Sequence, residues 1–382
     1  MPIVSLQRCE EYQFEKVYGA VKKAFAGLGD PTRLLGPKGG RVLIKPNMMA
    51  AHPPEAHVCT HPEVVRAVIR LVKEHGSHPL VGDSPAGLIG KWDIDNVWKE
   101  TSMERIVEEE GAEKVVFERC KMTKIKTPYL EKLDEHLITS LAYECDSVIN
   151  VPKFKTHTYM TMSGAVKNLY GMIPGKWKGE IHCRAPKPED FGKIVASLAH
   201  LIKPKLTIMD AICGLEGDGP GAAGLVRNFG CVFATDDPVA LDSVLAYMIG
   251  VRWDDIPVLK AAGDNYWGTV DIDKIDLVGV SKDELIIEDY LFPKKVQIRN
   301  LERFTRMVYA PTRVYPKVLE EKCKLCLRCL KSCPVKAMQL KANDGSKRRV
   351  VVEGDKCIEC CCCYEVCDVN AIDLYGGKEA AV

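Results

Sequence analysis

The apolar positions of the first 250 residues fall into short runs that alternate between two periods. Residues 3–6 read as a strand, and Phe14, Val17, Val21, Phe25 and Leu28 recur at helical spacing before Gly29, Asp30 and Pro31 break the segment. The alternation continues with a strand at 41–45, a helix at 62–75 stopped by Gly76, a strand at 80–81, a helical region at 96–110 and a strand at 115–117. A helix at 138–144 then leads into a strand at 147–151. Further on come a helix at 189–202, strands at 206–209 and 230–234, and a helix at 238–249. Strand and helix in turn predict an α/β domain over residues 1–280, with a largely parallel sheet and helices on both faces. Residues 281–316 are charged and interrupted by Pro293, Pro311 and Pro316, which predicts a linker. The remainder, 317–382, is a separate small domain.

That small domain is organised by cysteine. Cys323, Cys326, Cys329 and Cys333, followed by Pro334, have the spacing C-x2-C-x2-C-x3-C, and Cys357, Cys360, Cys363 and Cys367 repeat it at an offset of 34 residues. The offset also pairs Val335 with Val369, Ala337 with Ala371 and Leu340 with Leu374, so the segment is an internal repeat. Three thiolates from one tight loop and a fourth from a remote position suit a 4Fe-4S cube, and the third cysteine and the C-x3-C-P ending favour iron–sulfur over zinc. Cys361 and Cys362 complete an unbroken run of four, but the offset selects Cys360 and Cys363. The segment resembles bacterial-type two-cluster ferredoxins, a small α+β fold. That resemblance implies two 4Fe-4S clusters, each taking its fourth ligand from the other run: Cys323, Cys326, Cys329 and Cys367 for one, Cys357, Cys360, Cys363 and Cys333 for the other.

Of seventeen cysteines, ten lie between Cys323 and Cys367, which favours metal ligation in a reducing compartment over disulfides. With 46% hydrophobic and 27% charged residues, no signal-like start and no long uncharged apolar stretch, the chain is expected to be globular, cytoplasmic and without membrane contact. Its net charge of +1 conceals polarity: residues 299–349 hold fourteen Lys and Arg against four acids, and 350–382 two against seven. The basic segment is a candidate docking face for a redox partner protein. It lacks the interleaved aromatics of a nucleic-acid surface.

In open α/β sheets ligands bind beyond the carboxyl ends of the strands. Lys45, Asn47, Asp83 and Asp210 each follow a predicted strand, as do Lys153, Lys155 and His157, whose spacing of two puts them on one side of an extended segment. They lead into a helix start at 161–168, where Ser163, Lys167 and Asn168 flank free backbone N–H groups that favour an anion. A Gly-rich loop at 171–179 follows, with the form of a lid, and His182 near it is a candidate acid or base. Lys153, Lys155, His157, Lys167 and His182 are therefore the candidate catalytic residues, and Lys45, Asn47, Asp83, Ser163, Asn168 and Asp210 the candidate substrate-binding residues. Gly219, Gly221 and Gly224 match G-x-G-x-x-G without its strand-to-helix context, and no phosphate loop occurs, so no NAD or ATP motif is present.

The segments at 44–47, 151–157 and 163–171 resemble the family labelled domain of unknown function 362, whose members are often fused to ferredoxin domains. That resemblance implies the domain order but little mechanism. The residues themselves lead to an expected oxidoreductase that passes electrons through the clusters to an anionic small molecule. A non-catalytic carrier, delivering electrons or a metal cofactor to another enzyme, is the alternative.

Overall fold

The structure is a computed structural model that describes residues 1–86, 91–127, 130–175, 177–294, 314–342 and 348–376. The strands of its first half are β1 (Ile3–Arg8), β2 (Arg41–Pro46), β3 (His78–Asp83), β4 (Glu113–Val116), β5 (Met122–Lys126), β6 (Glu135–Thr139), β7 (Ser147–Val151), β8 (Lys153–His157) and β9 (Thr161–Ser163). They are followed by β10 (Leu206–Gly217), β11 (Gly224–Thr235) and β12 (Asp276–Val278). The main sheet runs β12-β1-β11-β10-β7-β2-β3-β4, with β8 and β9 branching from β10. From β10 through β7, β2 and β3 to β4 every neighbour is parallel, while β11 is antiparallel to both β1 and β10. The parallel run therefore delivers the ends of β2, β3 and β7 to one edge.

Both faces of this sheet are covered, which is why its strands read as continuous apolar runs. On β2, Val42 and Ile44 enter one core with helices Phe14–Ala26 and Pro62–His75, whereas Leu43 enters the opposite core with helices Pro188–Ile202 and Pro238–Met248. Helix Pro62–His75 has the boundaries expected from its pattern: Pro62 starts it, His61 Nδ1 accepts from the Glu63 N–H, and Gly76 at φ 87° ends it.

Two elements differ from expectation. Residues 135–139 form a strand of the β5–β6 hairpin, because burial there alternates with period two through His136 and Ile138, and the helix is only Leu141–Glu144. Strand β10 continues past Met209 to Gly217 because Asp210, the polar residue expected to follow its end, is neutralised inside the sheet. Of the expected linker, residues 281–294 pack back on the first domain through buried Leu285 and Tyr290, and 295–313 lie outside the described residues.

The cysteine domain has four short strands, β13 (Val314–Val318), β14 (Met338–Ala342), β15 (Arg348–Val352) and β16 (Ile372–Gly376), paired antiparallel as β13–β16 and β14–β15. A shift of 34 residues carries β13 onto β15 and β14 onto β16. It also carries left-handed Leu325, Leu327 and Lys336 onto left-handed Glu359, Cys361 and Asn370. Cys333 Sγ accepts from the Ala337 N–H at 3.1 Å and Cys367 Sγ from the Ala371 N–H at 3.2 Å, so the repeat extends to individual hydrogen bonds. Among the described residues, no helix is long and apolar enough to cross a membrane.

Candidate functional site

At the strand ends, a cavity of about 120 Å³ lies between the sheet and the cysteine domain. Its lining includes Lys45, Asn47, Asp83, Lys155, His157, Ser163, Lys167, Asn168 and His182, nine of the eleven α/β-domain residues singled out from sequence. The cysteine domain closes it with Pro334, Cys362 and Glu365. Four lysines, with Lys178 the fourth, face two carboxylates, Asp83 and Glu365. The lining favours an anion, and its size a small one.

The four lysines are not equivalent. Lys45 is fully buried and paired with Asp83 at 2.7 Å, and Asp83 also accepts from the Met48 N–H at 2.7 Å. This pair needs Gly171, since a Cβ there would lie 2.2 Å from Asp83 Oδ1 and 2.6 Å from Lys45 Nζ. Lys155 Nζ donates to the Val58 carbonyl at 2.6 Å and to Asn47 Oδ1 at 3.1 Å, and no carboxylate offsets it among these contacts. Lys178 Nζ donates to the carbonyls of Ser84 (2.6 Å) and Pro85 (2.8 Å) and to Ser84 Oγ (2.7 Å). Burial pushes both Lys155 and Lys178 down to about 8. Lys167 has no hydrogen-bond or ion-pair partner among the described residues.

Buried amides hold this arrangement in register. Asn168 Nδ2 donates to Asn150 Oδ1 at 2.8 Å and its Oδ1 accepts from Asn47 Nδ2 at 3.1 Å, while Asn150 Nδ2 donates to the Ala165 carbonyl at 2.9 Å. Asn150 escaped the sequence reading because it lies inside a strand that otherwise looks purely structural. His157 Nδ1 accepts from the N–H groups of Tyr159 and Met160, which leaves the proton on Nε2, 3.3 Å from Glu365 Oε1. His182 stacks on Phe191 at 4.3 Å, and burial pushes it down to about 3, so at neutral pH it is a neutral ring.

Three expectations resolve differently. Lys153 is outside the cavity lining: fully buried, it pairs with Asp210 at 2.9 Å and donates to Tyr12 Oη at 2.8 Å. Asp210 also accepts from the Tyr12 hydroxyl and the His61 N–H, so this network ties the N-terminal segment to the sheet. The helix Ala165–Asn168 does not offer its start to a ligand, because Asp242 already accepts from the N–H groups of Ala165 (2.6 Å) and Val166 (3.0 Å). The segment expected as a lid contains short helices at Leu169–Met172 and Trp177–Arg184, fastened by Lys178; Lys176 lies outside the described residues.

The glycine loop at 217–224 is a docking surface for the cysteine domain. Tyr364 Oη donates to the Asp218 carbonyl at 3.0 Å, Asn370 Nδ2 donates to the Ala222 carbonyl at 2.9 Å, and a Cβ on Gly221 would lie 2.8 Å from the Glu365 carbonyl oxygen. Within that domain the thiols form two neighbourhoods. Cys326, Cys367 and Cys323 act electrostatically on Cys329, whereas Cys360 and Cys333 act on Cys357 and Cys363, and Cys361 also acts on Cys363. Thiols are the donor type that a 4Fe-4S cluster requires, although among the described residues no three of them converge closely enough to hold a metal ion as they stand. Cys362, on which Cys360 and Cys363 act, also lines the cavity.

A family model described as a domain of unknown function (DUF362) matches residues 42–247, more than half of the chain. The chain belongs to that family. A second model, described as a 4Fe-4S dicluster domain, matches residues 315–368, so the DUF362 chain carries an iron–sulfur, ferredoxin-like domain. It is 34% identical over 266 residues to the thylakoid-associated protein sll1697 of Synechocystis sp., covering 68% of this chain and 78% of that one. Its cysteine domain is similar to the ketoisovalerate oxidoreductase subunit VorC of Methanothermobacter marburgensis, 33% identical over 66 residues, or 16% of this chain and 84% of that one. Among solved structures, the lactate racemase apoprotein from Thermoanaerobacterium thermosaccharolyticum aligns at 17% identity and a TM-score of 0.39, covering 63% of this chain. The alignment spans 56% of the racemase chain, and the likeness is too distant to bear on chemistry.

Proposed function

We propose that this DUF362 protein is an iron–sulfur oxidoreductase in which two 4Fe-4S clusters serve a small anionic substrate held in the cavity between the domains. The observation behind this reading is that Cys362 and Glu365, inside the second cysteine motif, share one cavity wall system with Lys155, Lys167 and Lys178. The proposed ligand sets are Cys323, Cys326, Cys329 and Cys367, and Cys357, Cys360, Cys363 and Cys333. A bound 4Fe-4S cluster supplies or accepts one electron at a time. Lys155 and Lys178, anchored on backbone carbonyls, give the substrate fixed positive charge without moving. Lys45 is neutralised by Asp83 and positions the wall. His157 holds Glu365, and with it the second cysteine motif, against the cavity. VorC, named as an oxidoreductase subunit, is consistent with electron transfer by the cysteine domain.

A pure carrier has no use for an internal cation-lined cavity. The basic segment that suggested one is partly offset by its own neighbours, Arg328 with Asp368 at 3.0 Å and Arg349 with Glu320 at 3.2 Å. The deciding experiment is to photoreduce the cluster-loaded protein and to follow reoxidation by absorbance with a panel of small carboxylates and phosphates. Acceleration by one of them, weakened in Lys155→Met, is expected. If no anion accelerates reoxidation, the reductase reading falls.

A further inference from the structure

Lys167 differs from the other three cavity lysines in having nothing to do. Lys45 is matched by Asp83, Lys155 by the Val58 carbonyl and Asn47, and Lys178 by Ser84 and Pro85, whereas the Lys167 amine has no partner among the described residues. It projects from the helix Ala165–Asn168, whose backbone is clamped by Asp242 and by Asn150, so the amine is carried on a rigid base. An amine that is desolvated and close to other cations is the kind that attacks carbonyl carbon. Burial and the neighbouring Lys45 both push Lys167 down, which enlarges its neutral, nucleophilic fraction, although Glu365 and Cys362 act the other way.

We propose that Lys167 forms a covalent imine with the carbonyl carbon of a small 2-oxo acid whose carboxylate is held by the fixed lysines of the same cavity. The inference rests on the anion-site reading above and gives that site a substrate class. Lys155, within electrostatic reach of Lys167, is the cation that faces the substrate carboxylate. A 2-oxo acid places its carbonyl one bond from that carboxylate, and a cavity of about 120 Å³ admits a molecule of this size. In the step, the Lys167 nitrogen bonds to the carbonyl carbon and the C=O bond breaks. The oxygen leaves as water carrying both amine hydrogens, and no oxidant or reductant is consumed. One further proton from solvent makes the iminium, which withdraws electrons from the substrate carbon more strongly than the carbonyl did and so eases addition of an electron to it.

The test traps the imine chemically. The full-length, cluster-loaded protein is incubated anaerobically with pyruvate and cyanoborohydride, and the modified lysines are located by peptide mass spectrometry. A carboxyethyl group on Lys167, forming at least about tenfold faster than on exposed lysines and absent from Lys167→Arg, is the expected result. Acetate and sulfate, which have an anionic charge but no ketone, are run in parallel as protectors of Lys167 against an amine-acylating reagent. If these anions and pyruvate protect Lys167 but no adduct forms there, the imine is overturned and the anion site stands. Adducts confined to other lysines also overturn it. If neither protection nor adduct is seen, the imine and the anion site fall together.

Discussion

His157 Nε2 lies 3.3 Å from Glu365 Oε1, so a histidine at the end of β8 reaches a carboxylate inside the second cysteine motif. Because Nδ1 is occupied as an acceptor, the proton sits on Nε2 and faces the carboxylate, a polar contact that joins the two domains. Close by, Gly221 leaves no room for a Cβ against the Glu365 backbone. Gly221→Val should therefore push the domains apart, and His157→Ala, which removes one polar contact between them, should loosen them by about 1 kcal/mol. Amide hydrogen exchange at 218–222 and 364–370 reads both effects: faster exchange confined to these two segments is expected, and unchanged exchange in Gly221→Val would contradict the docking role of the loop.

Cys362 and Cys360 stand two positions apart and act on each other, but of the two only Cys362 lines the cavity. Cys363 also acts on Cys362, while Cys360 acts in turn on Cys357 and Cys363, so it is the 34-residue offset that singles out Cys360 as the ligand. Iron content of purified Cys362→Ser should equal that of the parent. Cys360→Ser or Cys363→Ser should lose up to one cluster's iron, about half the total if two clusters are held. Iron loss in Cys362→Ser equal to that in Cys360→Ser would reassign the ligand.

Lys153 was grouped by spacing with Lys155 and His157, yet the fold gives it a different task. Its ion pair with Asp210 is fully buried, and removing one member leaves the other charge without compensation, a loss of about 3 to 5 kcal/mol. Asp210→Ala should lower the unfolding midpoint strongly. Lys153→Met combined with Asp210→Leu should recover much of the loss, because a buried pair replaced by apolar groups of similar size is often tolerated. Failure of the double variant to recover, with anion binding lost at unchanged stability in Lys153→Met, would return Lys153 to the site.

The sheet and the cysteine repeat were legible because each depends on local periodicity: a strand buried on both faces is an apolar run, and a cluster loop is a fixed spacing. The cavity was half legible for the same reason, since strand ends are visible in sequence and nine lining residues follow from them. What spacing cannot show is which polar groups satisfy one another. Lys153 and Lys155 are two residues apart, but β8 branches from the main sheet and pairs irregularly with β10, with Asp210 opposite Lys153 and Leu215 opposite Lys155. One lysine therefore meets a carboxylate and the other a cavity. Asp242, far along the chain, fills the helix start that looked open, and Glu365 arrives from the other domain.

Three histidines shielded from water should make this fold labile in acid, and one aspartate should partly oppose them. Burial pushes His61 down to about 3, His136 to about 4 and His182 to about 3, from an ordinary value of 6.5. The unfolded chain therefore takes up protons first as pH falls, and the stability these groups allow, complete above about pH 6.5, is lost on the way down to their folded values. Asp242 has the reverse sign: burial raises it to about 7, so between about pH 4 and 7 the folded form binds the extra proton and gains. Among these four groups, three protons against one contribute a loss approaching about 3 kcal/mol per pH unit between pH 6 and 4. Native-state hydrogen exchange of β2 and β7 amides, converted to opening free energies, measures it in the intact protein. His136→Leu should flatten the slope by about 1.4 kcal/mol per pH unit, because it removes one of the three protons and Ser197 keeps its bond to the Ile194 carbonyl. Asp242→Asn should steepen it. Equal slopes in all three proteins would mean that these groups do not govern acid stability.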